Sequence, residues 1–296
     1  MREAVPKHQV IEYLKEEPFY IANVRFSAVN DYYAINSHWH EELEIAYILE
    51  GNPHHYIDGE CIQSEAGRLI VTNSESVHHV TCEFDHSREE AISAVVLLIH
   101  NRFIMENFPE YGTLWFTNNK RQTKPEIRDI MLWLSAYAEK KEHRPKEHLY
   151  VKGLLLQLLY YMYEEGIVSR KDQTAIVKRQ NIQPLKDILV YVEEHYQMPL
   201  AQADVANQFY LSQQYFSRYF KQCTGITFTE HITRYRLEKA IKELRDTDKR
   251  IVDIALDNGF TEERRFAFAF KKFYGVSPLQ YRRQLHASDK KDDLIK

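Results

Sequence analysis

The feature that most constrains the fold is an internal repeat in the last hundred or so residues. The segment RYFKQCTGITF (218–228) aligns with FAFKKFYGVSP (268–278) at an offset of fifty residues, and VANQFYLS (205–212) aligns with IALDNGFT (254–261) at an offset of forty-nine. A repeat of this kind indicates two copies of one supersecondary unit. The second copy therefore holds one extra residue in its turn or its helix.

Each copy meets the requirements of a helix-turn-helix motif. Ala206 and Ala255 supply a small side chain where the second helix must cross close to the first. Gly259 is free to take a positive φ angle in the turn of the second copy. Because Tyr210 holds that place in the first copy, the first turn is expected to differ in detail.

The second helix of each copy is predicted to start at a capping residue and to bury two aromatic rings. Ser212 and Thr261 stand where a side-chain oxygen can accept hydrogen bonds from the first N–H groups of a helix. The phenylalanines that lie four residues apart, and so on one face, are Phe216 and Phe220 in the first copy and Phe266 and Phe270 in the second. The opposite face of each helix is left for solvent or for a partner.

The outward side chains suit duplex DNA, because polar groups can bond to base edges and cations can neutralise phosphates. The predicted DNA-binding residues of the first copy are Ser212, Gln213, Gln214, Ser217, Arg218 and Lys221. Those of the second copy are Thr261, Glu263, Arg264, Arg265, Phe268 and Lys271. The alternative is a pair of solvent-exposed amphipathic helix pairs in an all-α domain.

A long helix is predicted between the copies, over residues 229–245, with Ile232, Leu237 and Leu244 on one side. Such a helix would hold the two recognition helices about 34 Å apart, one turn of DNA.

The charge of the C-terminal region gives weak support for a DNA partner. The whole chain has a net charge of −4, but residues 184–296 hold 19 Lys and Arg against 16 Asp and Glu, a balance of +3.

The N-terminal half is predicted to be a sandwich or barrel of short strands followed by helices. Between Tyr20 and Ile99, β-branched and aromatic runs alternate with turn signals. From Pro125 onward the apolar residues recur at helical spacing, and the segment 149–163 is apolar on more than one side. That segment must be buried, either in the core or against a second copy, so a homodimer is expected.

The expected fold class is therefore α+β, in three parts. Residues 1–165 form a ligand-binding and dimerisation domain, residues 166–183 a polar linker, and residues 184–296 an all-α DNA-binding domain. No run approaches the roughly 20 apolar residues of a membrane span, and the N-terminus lacks the apolar core of a signal peptide. Three widely spaced cysteines, Cys61, Cys82 and Cys223, favour reduced thiols, so a cytoplasmic protein without a membrane partner is expected.

The C-terminal motifs resemble those of the AraC/XylS family of transcription regulators. The matching blocks are LSQQYFSRYFKQCTG (211–225), RLEKA (236–240), IVDIALDNGF (251–260) and FKKFYGVSPLQYR (270–282). The resemblance implies a regulator, not an enzyme, that engages two adjacent groove segments of promoter DNA and works with RNA polymerase. It also implies that Arg218 contacts a base.

The chain departs from the family pattern at Phe268, where an arginine is usual. Three interpretations stay open. Arg264 and Arg265 replace the lost donor, or Phe268 contacts a thymine methyl group, or Phe268 is an additional core aromatic residue. Glu262 and Glu263 also make this helix more acidic, so specificity is expected to rest more on the first copy.

A group of histidines and a glutamate resembles the two motifs of the cupin fold. His38 and His40 can point to one face of a strand, Glu44 follows, and His78 stands eleven residues after Gly67. The second motif is imperfect, because Asn73 and Glu75 replace the usual Pro and Gly. His54, His55, Tyr56 and His79 are further candidates or simply exposed side chains.

The family resemblance implies that a cupin-like barrel senses a sugar or another small polar effector, with no cofactor. The predicted ligand-binding residues are His38, His40, Glu44, Tyr47 and His78. One alternative is a cupin enzyme that holds Zn, Mn, Fe or Ni through His38, His40, Glu44 and His78. Another is a DNA-binding protein with no ligand, whose barrel only holds the dimer together.

Overall fold

The computed structural model describes residues 17–27, 33–82, 91–119, 122–140, 142–170 and 173–283. The contacts divide the chain into two compact units. One is built from the described parts of 1–27 and 39–182, and the other from those of 28–38 and 183–296. None of the helices in the described ranges has the length and apolar character needed to cross a membrane.

Eight strands form two four-stranded sheets, as the alternation of apolar runs and turns predicts. The strands are β1 (Phe19–Ser27), β2 (Tyr33–His38), β3 (Leu43–Glu50), β4 (His54–Ile57), β5 (Glu60–Gln63), β6 (Leu69–Thr72), β7 (His78–Cys82) and β8 (Ala91–Ile99). Their orders are β1-β8-β3-β6 and β2-β7-β4-β5. The pairs β1/β8, β3/β8, β3/β6, β4/β5 and β4/β7 are antiparallel.

Strand β3 separates two apolar layers. Its odd-numbered residues Ile45 and Tyr47 lie in the large core that the sheet shares with the helices that follow. Ala46, on the opposite face, packs with Ile57 and Ile70 between the two sheets. Because successive side chains of a strand point to opposite faces, Glu44 shares the inner face of Ala46.

Three helices follow the strands, α1 (Asn101–Asn107), α2 (Pro125–Ala138) and α3 (Pro145–Glu164). Pro125 and Pro145 lie in the first turn of their helices, where the missing N–H costs nothing. A 3-10 turn covers Pro109–Thr113, and strands β9 (Leu114–Phe116) and β10 (Val168–Arg170) form a two-stranded sheet.

The segment 166–183, predicted as a linker, contains regular structure. Strand β10 lies in it, and helix α4 (Gln173–His195) begins within it and runs through Pro184. A proline inside a helix removes one hydrogen bond and usually ends the helix, which is why the sequence suggested a boundary there. The buried stripe of α4 includes Ile182, Leu185 and Ile188, and the role of the segment as a linker stays a prediction.

The C-terminal unit holds the predicted tandem helix-turn-helix arrangement. Its helices are α5 (Gln202–Gln208), α6 (Gln213–Thr224), α7 (Phe228–Asp246), α8 (Ile251–Asp257) and α9 (Glu263–Tyr274), and residues 278–283 are also helical. Helix α7 is the long helix expected between the copies. Phe216, Phe220, Phe266 and Phe270 are all fully buried, which confirms the predicted inner face of each recognition helix.

Candidate nucleic-acid interface and ligand-binding cluster

Helix α6 presents one polar face to solvent. Its N-cap is Ser212, whose Oγ accepts a hydrogen bond from the Tyr215 backbone N–H at 3.3 Å. All six residues predicted to bind DNA in the first copy are exposed. The burial of Phe216 and Phe220 on the other side fixes the rotation of the helix, so this polar face is held in one orientation.

A surface cavity of about 490 Å³ lies beside this face. It is lined by Gln202, Gln213, Gln214, Ser217 and Arg218. Four of these residues were predicted from the sequence, and Gln202 was missed. The signal for Gln202 was its place at the start of α5, the helix that precedes the recognition helix in the repeat.

Helix α9 occupies the equivalent place in the second copy. Glu263, Arg264, Arg265 and Lys271 are exposed. Phe268 is also exposed, with 75% of its surface accessible, so it is not part of the core. This exposure removes one of the three interpretations of that residue.

The four residues of the cupin-like motifs come together. One ligating atom from each of His38, His40, Glu44 and His78 can be chosen so that all four lie within 4.8 Å of one another. The His40 and His78 rings meet edge to face, with centroids 4.9 Å apart. Glu44 Oε2 lies 3.3 Å from His40 Nε2 and 3.4 Å from His78 Nε2. The predicted cluster thus has a carboxylate at its centre.

Electrostatics in the cluster favour charged forms despite burial. Burial raises the pKa of Glu44, but His78 and His40 together outweigh it and hold that pKa well below its ordinary value. Burial likewise opposes the charged form of His78, yet the Glu44 carboxylate raises the His78 pKa above its ordinary value. The cluster therefore favours an ionised carboxylate facing an imidazolium.

Comparisons with known proteins find a family model for each half of the chain. An AraC-like ligand binding domain model matches residues 21–159, and a helix-turn-helix domain model matches residues 205–284. The transposon Tn10 TetD protein of Escherichia coli is 40% identical over 99 residues, which are 33% of this chain and 72% of TetD. The chain belongs to the AraC/XylS family of transcription regulators.

A second relative extends over most of the chain. An HTH-type transcriptional regulator of Staphylococcus aureus (strain COL) is 24% identical over 266 residues, which are 89% of this chain and 34% of the relative. The chain thus spans about a third of the length of that relative. Among solved structures, ToxT from Vibrio cholerae is similar with a TM-score of 0.47 and 16% identity, over 90% of this chain and 98% of ToxT.

Tyr47 does not lie with the other predicted ligand-binding residues of this family member. It is 5% exposed and packs in the core shared with α2 and α3, on the face of β3 opposite to Glu44. The two residues are three apart, and an odd spacing puts side chains on opposite faces of a strand. The structure therefore does not bring Tyr47 together with the other residues predicted to bind the ligand, and its role in ligand binding stays a prediction.

Two of the neighbouring histidines are buried rather than exposed. His55 is 6% exposed, and burial lowers its pKa to about 4. His79 is 3% exposed and stacks on Tyr56, with ring centroids 4.4 Å apart.

Asn73 stands where the cupin pattern usually has another residue. Its side chain accepts a hydrogen bond from Phe116 N and donates one to Phe116 O, both at 2.8 Å.

The predicted cap of the second recognition helix was also wrong. The N-cap of α9 is Glu262, with no side-chain capping bond, and Thr261 precedes it. Helices α6 and α9 begin fifty residues apart, whereas α5 and α8 begin forty-nine apart. The extra residue of the second copy thus lies in its turn, which moves Thr261 out of the capping position.

The two turns differ by one residue, as expected, but both pass through a left-handed residue. Tyr210 has φ +56° and Gly259 has φ +78°, so both are left-handed. Their surroundings also differ. Tyr210 is 98% exposed, whereas a Cβ on Gly259 would lie 2.5 Å from the Tyr196 carbonyl oxygen.

Proposed function

We propose that this regulator binds promoter DNA through α6 and α9 and activates transcription with RNA polymerase when a small polar ligand binds its N-terminal domain. The exposed polar face of α6 carries the proposal. Gln213, Gln214 and Ser217 offer donors and acceptors to base edges, and Arg218 offers a bidentate donor pair for guanine. The surface cavity beside them is lined by these four side chains and Gln202.

Substitutions on α6 test base reading against phosphate binding. Arg218→Ala should remove the preference of the protein for its selected sequence and leave non-specific binding in place. Lys221→Ala should weaken binding to all sequences alike and reduce the salt dependence of binding by about one charge. Fluorescence anisotropy with specific and scrambled duplexes at several salt concentrations measures both. Unchanged sequence preference in Arg218→Ala would show that α6 does not read bases.

The ligand-binding cluster supports a small polar effector such as a sugar. Glu44, His40 and His78 supply hydrogen-bonding groups on the inner side of β3, and Ala46 and Ile70 supply an apolar floor beyond them. If the protein has two conformations with different affinities for DNA, a ligand that binds one of them better changes the affinity for DNA. DNA then changes the affinity for the ligand by the same factor.

A thermal-shift screen of sugars and sugar acids tests this part. A true ligand raises the unfolding midpoint by mass action, and Glu44→Gln should reduce the shift while Tyr47→Phe leaves it unchanged. Equal shifts in wild type and Glu44→Gln would place the ligand elsewhere. The absence of a shift across the screen would favour the ligand-free alternative.

A divalent metal is the second candidate for this cluster, because four ligating atoms already lie within 4.8 Å. Three imidazole nitrogens and one carboxylate suit Zn, Mn, Fe or Ni. A bound ion would act there as a Lewis acid that polarises an oxygen of the effector. Metal analysis after supplementation decides: about one equivalent, lost in Glu44→Gln, supports the metal, and less than a tenth of an equivalent excludes it.

Helix α3 provides a surface for the proposed homodimer. Its exposed apolar residues are Leu149, Tyr150, Leu156, Tyr160 and Tyr163. All but Tyr150 fall, together with Gly153, at a 4-3-4-3 spacing. Such spacing puts a continuous apolar seam on one side of a helix, which is the geometry of a two-helix coiled coil. Near the start of the helix Glu147 is paired with Lys140, which leaves Lys146 and Lys152 there and Glu164 at the end to favour an antiparallel second copy.

Sedimentation equilibrium tests this surface. Leu156→Glu should convert a dimer into a monomer, because it places a charge in the seam, whereas Leu132→Glu on α2, at a residue 44% exposed, should not. A wild-type protein that is monomeric at every concentration would contradict the dimer. Dissociation by both substitutions would place the contact on a wider surface.

A further inference from the structure

Phe268 is an exposed aromatic side chain at the centre of a cationic helix face. It is 75% accessible to solvent, and the described residues provide no ring contact for it. Arg264 lies four residues before it and Lys271 three residues after it, which puts all three on one side of α9. An apolar ring in this setting is not buried by folding, so a contact that buries it has to come from a partner.

The repeat assigns the place of that contact. Helices α6 and α9 begin fifty residues apart, and at this offset Phe268 corresponds to Arg218 while Lys271 corresponds to Lys221. The inner faces correspond as well, since Phe266 and Phe270 match Phe216 and Phe220, and all four are buried. Phe268 is therefore oriented on α9 as Arg218 is on α6.

The chemistry of the phenylalanine ring limits which DNA base it can recognise. A phenylalanine can neither donate nor accept a hydrogen bond at a base edge, so it cannot read guanine, adenine or cytosine through their polar groups. In the major groove, thymine alone presents a methyl group, which an apolar side chain can cover. Arg264 and Lys271 can bind the phosphates on either side.

We propose that Phe268 is a specificity-determining residue that packs on the C5-methyl group of a thymine in the second half-site. This inference rests on the proposed function, namely that α6 and α9 both enter the major groove. It assigns different chemistry to the two half-sites, with hydrogen bonding by Arg218 in the first and apolar contact by Phe268 in the second.

Replacing thymine with deoxyuridine tests the contact, because deoxyuridine lacks only the methyl group. Duplexes selected by the wild-type protein from a random library are resynthesised with each thymine replaced in turn. At one or two adjacent positions of the second half-site, wild-type binding should weaken by about fourfold, as expected for the loss of one buried methyl group. Phe268→Ala should bind the thymine duplex as weakly as wild type binds its deoxyuridine counterpart and should not distinguish the two.

Two further variants serve as a control and as a test of changed base preference. Leu256→Ala removes another exposed apolar side chain, 51% accessible on α8, and should keep the full methyl response. Phe268→Arg restores the residue type of Arg218 and should shift the selected base from thymine towards guanine. Melting temperatures close to wild type are expected for all three variants, since each side chain is exposed.

The outcomes separate this inference from the function on which it rests. If wild type selects a sequence but binds every deoxyuridine duplex as it binds thymine, the methyl contact is wrong and DNA reading by α6 stands. The same conclusion follows if Phe268→Ala keeps the methyl response or if Phe268→Arg selects the same base as wild type. If wild type selects no sequence at all, the proposed function fails and this inference fails with it.

Discussion

His231 shows how one side chain outside the exposed helix faces can limit the pH range of the DNA-binding unit. It is 1% exposed and packs against Phe220, with ring centroids 5.4 Å apart. Burial, assisted by the nearby charge of Arg234, lowers its pKa from 6.5 to about 4. The imidazole is therefore neutral in the folded unit at pH values where it would be protonated in the unfolded chain.

This difference predicts acid destabilisation of the C-terminal unit. The folded pKa is below the unfolded one, so stability is fully present above about pH 6.5 and falls as the pH drops towards 4. Between pH 7 and pH 5 the loss from this group should be about 2 kcal/mol. Urea unfolding of wild type and His231→Leu at both pH values measures it, with the variant expected to lose less. Equal losses in both proteins would contradict the account.

The ligand cluster shows which single residues could be predicted from the sequence. His38, His40, Glu44 and His78 followed from motif spacing, and the structure brings them together. Tyr47 could have been excluded by its odd spacing from Glu44. The burial of His55 and His79 could not be predicted, because it depends on which strands β4 and β7 pack against.

At the scale of secondary structure elements, the two recognition helices differ in how their N-termini are capped. Ser212 caps α6 through its side chain, whereas α9 starts at Glu262 without such a bond. Ser212→Ala should therefore lower the free energy of unfolding by about 1 kcal/mol, and Thr261→Ala should change it by a few tenths at most. Denaturant titration of the two variants checks this, and equal effects would mean that Thr261 also caps its helix.

The two turns are expected to differ in their tolerance of substitution, although Tyr210 and Gly259 both have a left-handed backbone. Gly259→Ala should cost about 2 kcal/mol or more, because a left-handed φ is unfavourable for alanine and its Cβ would overlap the Tyr196 carbonyl. Tyr210→Gly should be neutral to within about 1 kcal/mol, since relief of the left-handed strain offsets the added entropy of the unfolded chain. Thermal unfolding would contradict this if both variants lost similar stability.

Elements with a strong periodic pattern were predicted well, and irregular ones were not. The long helix α7 and the buried faces of α6 and α9 follow from apolar residues at helical spacing. Helix α4 was misjudged because its first half is polar and Pro184 resembles a stop signal. The positive φ angle of Tyr210 was not predicted, because residues other than glycine rarely adopt it.

At the scale of the whole molecule, the strand pattern predicted the antiparallel sheets and the repeat predicted the tandem helix-turn-helix arrangement, while the predicted domain boundaries stay a prediction. The chemical class of the effector could not be predicted from the sequence. The same three histidines and one glutamate suit a polar ligand or a metal ion, because both need imidazole and carboxylate groups on one side of a sheet. Only binding experiments on the cluster separate these two ligands.

In the proposed function, one chain reads two successive segments of the major groove with unequal recognition helices. Selection of duplexes from a random library, followed by sequencing, tests it most directly. We predict two blocks of preferred bases centred about 10 base pairs apart, with Arg218→Ala erasing the preference in one block only. A single block, or no preference beyond overall charge, would contradict the account.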